Sequence, residues 1–91
     1  MQITTKSGFE CDIKDGVLDD WRFTKAVAKA HSDKDDERML AAVDLVSLIL
    51  RDNEDAYYKH VESINDGIVT EDIVTDDLTS IIEQVKALKN S

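Results

Sequence analysis

The sequence contains no proline, one cysteine, three glycines and only 5% aromatic residues. The absence of proline favours long uninterrupted helices, because proline removes a backbone donor and breaks a helix interior. The single Cys11 cannot form an internal disulfide, so the fold does not require an oxidising compartment. The glycines are isolated and form neither a phosphate-binding loop nor a dinucleotide-binding fingerprint.

Basic residues are also few: eleven Lys and Arg against twenty Asp and Glu give a net charge of −9. Since the basic residues form no cluster, we expect no binding of nucleic acid through its phosphates. The same balance disfavours an anionic membrane surface, and the longest apolar run is shorter than the about 20 residues that cross a bilayer. The opening residues MQITTKSGFE lack the apolar run of a signal peptide. We therefore expect a cytoplasmic protein without a membrane partner.

The stretch from Met39 to Leu50 is the most apolar part of the sequence, because all but two of its residues are apolar. On a helix its apolar arc covers about 220°, roughly twice the width of an ordinary core-facing stripe. The polar residues of this helix and its ends share one narrow stripe: Glu37, Asp44, Ser47 and Arg51. This pattern predicts a central helix that the rest of the chain covers, with exposed apolar side chains only beside the stripe.

The remaining periodicity predicts one mainly α domain over residues 1–91, a small bundle of about four helices with a short N-terminal β-hairpin. The hairpin falls within residues 1–14, where alternation places Phe9, Cys11 and Ile13 on the inner face. Thr75 is the expected N-cap of the last helix. The predicted helices are 18–31, 36–51, 54–65 and 76–89.

No arrangement typical of an enzyme or metal centre is present. The acidic segment 33–37 lacks the glycine and glutamate that complete an EF-hand loop, and one Cys with two distant His supplies too few zinc ligands. Glu10 and Asp12 flank Cys11 and would raise its thiol pKa, which favours an inert buried side chain. We expect no catalytic residue, no cofactor and no metal.

Five side chains are candidates for contact with a protein partner: Trp21, Leu40, Leu48, Tyr57 and Tyr58. Leu40 interrupts the polar stripe of the central helix, and Leu48 borders it. Trp21 has two interpretations, and a core position is favoured over an exposed interface anchor because small domains need their large aromatic side chains inside. Tyr57 and Tyr58 pose the same choice.

Several stretches resemble the short tail assembly chaperones of long-tailed phages and prophages of Gram-positive bacteria. These are KSGFE at residues 6–10, the acidic strand after it, LDDWRF at residues 18–23, the apolar central helix, the acidic start of the last helix and KNS at residues 89–91. The resemblance covers nearly the whole chain. SGFE and LDDW are its distinctive parts.

The resemblance implies a non-enzymatic protein that binds the aggregation-prone tape measure protein in the host cytoplasm, passes it to the tail tube protein and is absent from the mature virion. Such proteins are often the shorter of two products, the longer one arising by ribosomal frameshifting. Two alternatives from the residues themselves stay open. One is an acidic regulatory or inhibitory protein with a basic partner, and the other is a small structural adaptor that is stable as a homo-oligomer.

Overall fold

The computed structural model describes residues 1–89, with only the backbone described for Lys89; Asn90 and Ser91 of the C-terminal KNS motif lie outside the described residues. The predicted mainly α fold with an N-terminal hairpin is confirmed. Single turns of 3-10 helix lie at Val17–Asp19 and Arg51–Asn53. The strands and helices are β1 (Gln2–Thr4), β2 (Glu10–Asp12), α1 (Trp21–Ala30), α2 (Asp35–Leu50), α3 (Glu54–Ile64) and α4 (Glu71–Lys89).

The hairpin pairs β1 and β2 antiparallel, with Ile3 opposite Cys11. The predicted alternation is correct for Cys11 and Ile13, which are buried, whereas Phe9 is partly buried at the end of the turn. The Phe9 ring meets the Tyr57 ring edge to face, with centroids 5.4 Å apart. This contact anchors the two-stranded hairpin on α3. A hairpin of this size is not stable alone and needs such packing.

Two helices begin elsewhere than predicted. Residues 17–19 form a separate 3-10 turn, and α1 begins at Trp21 because Asp20 is extended and its carboxylate accepts a hydrogen bond from the Arg22 amide at 2.8 Å. Helix α4 begins at Glu71 rather than at residue 76, so Thr75 lies inside the helix and is not its N-cap. The earlier start lets Ile73 and Val74 pack against the core, and the acidic first turn suits the helix dipole.

Helices α1 and α2 pack antiparallel, since Lys29 meets Asp44 near one end of the pair and Arg22 shares a groove with Arg51 at the other. Helix α2 supplies the largest group of core side chains, which confirms its central position. Its buried residues are Ala41, Leu45, Val46, Ile49 and Leu50. The rest of the chain covers only part of the predicted apolar arc, however, because Met39 and Val43 are 52% and 57% exposed. No helix within residues 1–89 has the length and apolarity needed to span a membrane.

Candidate protein-binding surfaces

The structure separates the five predicted contact residues. Trp21 is 74% exposed, so the favoured core interpretation is wrong. Because Phe23 and Ala26 form the buried face of α1, and residues two positions apart on a helix point in different directions, Trp21 is directed away from the core. Its ring is available to a partner.

Tyr57 is only 1% exposed and cannot contact a partner, which corrects its place among the candidates. Its hydroxyl donates to Asp77 Oδ2 at 2.7 Å, and the Ser7 amide and hydroxyl donate to the same carboxylate at 2.8 and 2.7 Å. Burial and then the bond to Asp77 raise the pKa of Tyr57 well above its ordinary value. These bonds tie the hairpin turn to α3 and α4.

Sequence reasoning missed Asp77, a buried carboxylate in the acidic start of α4. A buried charge needs several donors, and those donors come from residues 7 and 57, which are far away in the sequence. The one available signal was periodicity: Asp77 adjoins Leu78 and is one turn before Ile81, both buried. A polar residue on a core-facing stripe indicates a buried hydrogen-bond network.

Tyr58 belongs to an exposed surface that we call the apolar groove. It lies between α2 and the start of α4, with a volume of about 520 Å³. Its lining residues are Met39, Ala42, Val43, Val46, Tyr58, Val69, Thr70, Glu71, Val74 and Thr75. Leu40 is 58% exposed but does not line this groove, although it lies on the same helix.

The charges at the edge of the apolar groove are mainly acidic, although Arg38 lines a neighbouring cavity with Ala42, Glu71 and Thr75. Glu71 is the one charged residue among those that line it. The Tyr58 hydroxyl donates to Glu54 Oε2 at 2.8 Å, and burial followed by this bond raises the pKa of Tyr58 to about 12. Asp36 lies one helical turn before Met39 on α2. An apolar floor with carboxylates at its border fits an apolar segment flanked by Lys or Arg.

Leu48 lies on a second surface, between α1 and α2, that we call the cationic groove. It has a volume of about 490 Å³ and four basic lining residues. Its lining residues are Arg22, Lys25, Ala26, Lys29, Asp44, Ser47, Leu48 and Arg51. The prediction that the basic residues form no cluster is therefore wrong.

The signal for this cluster was present within α1, whose ten residues carry three cations and no acid. Arg22, Lys25 and Lys29 have the i, i+3, i+7 spacing that places side chains on one helix face. Arg51 joins them only through the antiparallel packing of α2 on α1, so its contribution could not be read from the sequence. The net charge of the whole chain is negative and therefore does not reveal this local positive surface.

The side chains considered for chemistry form no assembled reactive site. Cys11 is buried, and burial followed by the Asp12 charge raises the pKa of its thiol, which disfavours the reactive thiolate. His60 Nε2 lies 3.0 Å from the Ser7 carbonyl oxygen, and His31 is exposed at the end of α1. Among residues 1–89, no three His, Cys, Asp or Glu side chains are grouped as metal ligands would be.

No protein-family model, no curated protein and no solved structure matches this chain.

Proposed function

We propose that this chain is a non-enzymatic tail assembly chaperone that covers an apolar helical segment of the tape measure protein in the bacterial cytoplasm. The observation that carries the proposal is the apolar groove. Exposed apolar patches rimmed by polar residues commonly mark protein-binding sites when they exceed a few hundred Å². The sequence motifs at residues 6–10 and 18–23 supply the choice of partner.

The shape of the groove supports a helix as the bound element. Met39 and Val43 are one turn apart on α2, while Val69 and Val74 form the opposite wall. Two apolar walls with a gap between them receive the apolar stripe of an amphipathic helix, the usual helix-in-groove arrangement. The surrounding carboxylates would keep the complex soluble through the net charge of −9.

Val43→Asp tests the proposal directly. Val43 is exposed in the free protein, so the substitution leaves the fold intact but places a charge in the bound interface. We expect binding to a helical fragment of the phage's own tape measure protein to weaken by about tenfold or more, measured by calorimetry. The same variant should no longer suppress aggregation of that fragment in a light-scattering assay.

Leu40→Asp is the matched control, because Leu40 has nearly the same exposure on the same helix but does not line the groove. We expect near-native binding from this variant. Lost binding in Leu40→Asp with intact binding in Val43→Asp would place the interface on the border of the polar stripe instead. No binding of any tape measure fragment by the native chain would remove the proposed partner.

The homo-oligomeric adaptor is the second candidate, because a second copy could cover the same apolar groove. Size-exclusion chromatography with light scattering separates the two functions. We expect a monomer that associates with the tape measure fragment. A stable oligomer that Val43→Asp dissociates, with no affinity for the fragment, would favour the adaptor.

The acidic regulatory protein has less support. Such a protein needs one strongly negative face, whereas exposed carboxylates lie on the hairpin, α2, α3 and α4 and are interrupted by the cationic groove.

A tail assembly chaperone is also expected to be absent from finished virions. Mass spectrometry of purified virions tests that expectation.

A further inference from the structure

The cationic groove has more positive charge than its neighbouring carboxylates neutralise. Arg22 Nη2 lies 2.7 Å from Asp20 Oδ2, and Lys29 Nζ lies 3.8 Å from Asp44 Oδ2. Lys25 and Arg51 make no ion pair within 4.0 Å in the described part of the chain, although Arg51 is near enough to help lower the pKa of Asp20. The groove therefore has two cations without a close ion pair, although Arg51 also lines the neighbouring pocket with Asp15, Asp19 and Asp20.

The backbone of Arg51 has an uncommon conformation where α2 ends. Its φ of 51° and ψ of −119° lie in a left-handed conformation that favours glycine. Its amide donates to the Ser47 carbonyl where α2 ends, so the strained geometry closes the helix. Glycine would close the helix without this strain, and the arginine found here lines both the cationic groove and the neighbouring pocket.

An exposed aromatic ring lies beside the same cations. Trp21 and Lys25 are four residues apart on α1 and so share one face of the helix. The floor between the cations is apolar, with Ala26 buried and Leu48 packed against the core. The groove thus offers positive groups and an apolar floor to one ligand, and Trp21 lies outside its lining but one helical turn from Lys25.

The geometry points to a binding site for an acidic peptide segment, with its carboxylates on Lys25 and Arg51 and an apolar side chain on Leu48. The planar arginine fork binds a carboxylate through two parallel hydrogen bonds. This site lies on the opposite border of α2 from the apolar groove, so it does not rest on the proposed chaperone function.

A nucleic acid fits the groove less well. Its phosphates are closely and regularly spaced, and Asp44 within the groove and Asp20 at its edge would repel them. The carboxylates of a peptide can be separated by neutral residues and so avoid both aspartates. Charges beyond about 8 Å are screened at physiological salt, so the groove rather than the net charge governs binding of a short peptide.

Trp21 is the single tryptophan of the chain and reports on this site. We expect a synthetic peptide of alternating Glu and Leu to change its fluorescence, with an affinity that falls as salt is raised. A peptide with Lys in place of Glu should cause no change. Single-stranded DNA serves as the competing ligand, and tighter binding of DNA than of the acidic peptide would overturn the proposal.

Lys25→Glu should weaken binding of the acidic peptide by about tenfold or more. Lys59→Glu changes the net charge equally on α3, outside the lining of the groove, and should have little effect. Arg51→Gly should also weaken binding while leaving the protein at least as stable, which separates loss of the ligand contact from loss of the fold. Equal losses from Lys25→Glu and Lys59→Glu, or no response to the peptide, would show that the groove is not a specific site.

Discussion

The apolar groove and the cationic groove are built on opposite borders of the same helix. Met39 and Val43 of α2 face one groove, and Ser47 and Leu48 face the other. The difference arises from what packs beside α2. Val69, just before α4, and Val74 of α4 lie at one border, whereas α1 contributes three cations at the other. One apolar helix can therefore support two surfaces of different chemistry, because its neighbours decide the character of each border.

The two grooves also differ in the source of the free-energy cost of their exposed residues. The apolar groove exposes side chains at ordinary helical positions, so its cost lies in the contact of apolar groups with water. The cationic groove includes Arg51, whose backbone conformation is unfavourable, so part of its free-energy cost is backbone strain. Variants that act on the buried Asp77 network, on the cationic groove and on the apolar groove should therefore have different effects.

Asp77→Ala should have the largest effect, because it removes the buried network that ties the hairpin turn to α3 and α4. The substitution leaves the Tyr57 hydroxyl and the Ser7 donors without their buried acceptor. We expect a loss of about 3 kcal/mol in the free energy of unfolding, measured in urea.

Asp76→Ala is the control for this prediction. Asp76 is the neighbouring residue, and its exposed carboxylate makes only a 3.4 Å contact with Lys6. An exposed ion pair of this kind contributes little, so we expect a change of about 0.5 kcal/mol or less. Similar losses from the two variants would mean that the buried network does not hold the hairpin turn.

Arg51→Gly should have an intermediate effect and the opposite sign. Glycine relieves a conformation that costs of order 1–3 kcal/mol, but it also increases the entropy of the unfolded chain. We expect a net gain of about 1 kcal/mol in stability, measured by thermal unfolding. Arg51→Ala keeps the strain and should show no such gain; equal stability of the two variants would exclude backbone strain at this position.

Tyr58→Phe should have the smallest effect, and it acts on the apolar groove. The pKa of Tyr58 rises from 10.0 to about 12 in the folded protein, so the folded state holds the proton more tightly than the unfolded state. The stability from this group is therefore fully present below pH 10 and is lost as the pH rises towards about 12.

Alkaline unfolding of the native chain and the Tyr58→Phe variant measures this contribution. The difference in stability between the two proteins should shrink through that pH window, while the lysines titrate equally in both. A constant difference across the window would contradict the assigned hydrogen bond to Glu54.

The elements of the fold could be predicted because local sequence determines them. Period-two alternation identified β2, and the apolar stretch at residues 39–50 identified α2. The start of α4 was predicted at the wrong residue, since Thr70 precedes acidic residues that suit a helix N-terminus just as Thr75 does. Packing of Ile73 and Val74 decided between them, and packing cannot be read from a capping motif.

The candidate surfaces could be predicted only in part. Leu40 was expected to be exposed and is, but it does not line either groove. Tyr57 and Tyr58 are adjacent and chemically identical, yet one is fully buried and the other lines the apolar groove. Their difference arises from the direction of each side chain around α3 and from the distant Asp77, which gives the inner hydroxyl an acceptor.

Composition and periodicity are local properties, so they are enough to predict a small acidic helical domain with a central apolar helix. Tertiary structure alone decided which side of that helix stays open, how Arg51 joins the cations of α1, and that Trp21 faces solvent. The physical reason is that exposure and charge clustering depend on which elements pack together. Those contacts join residues that are far apart in the chain.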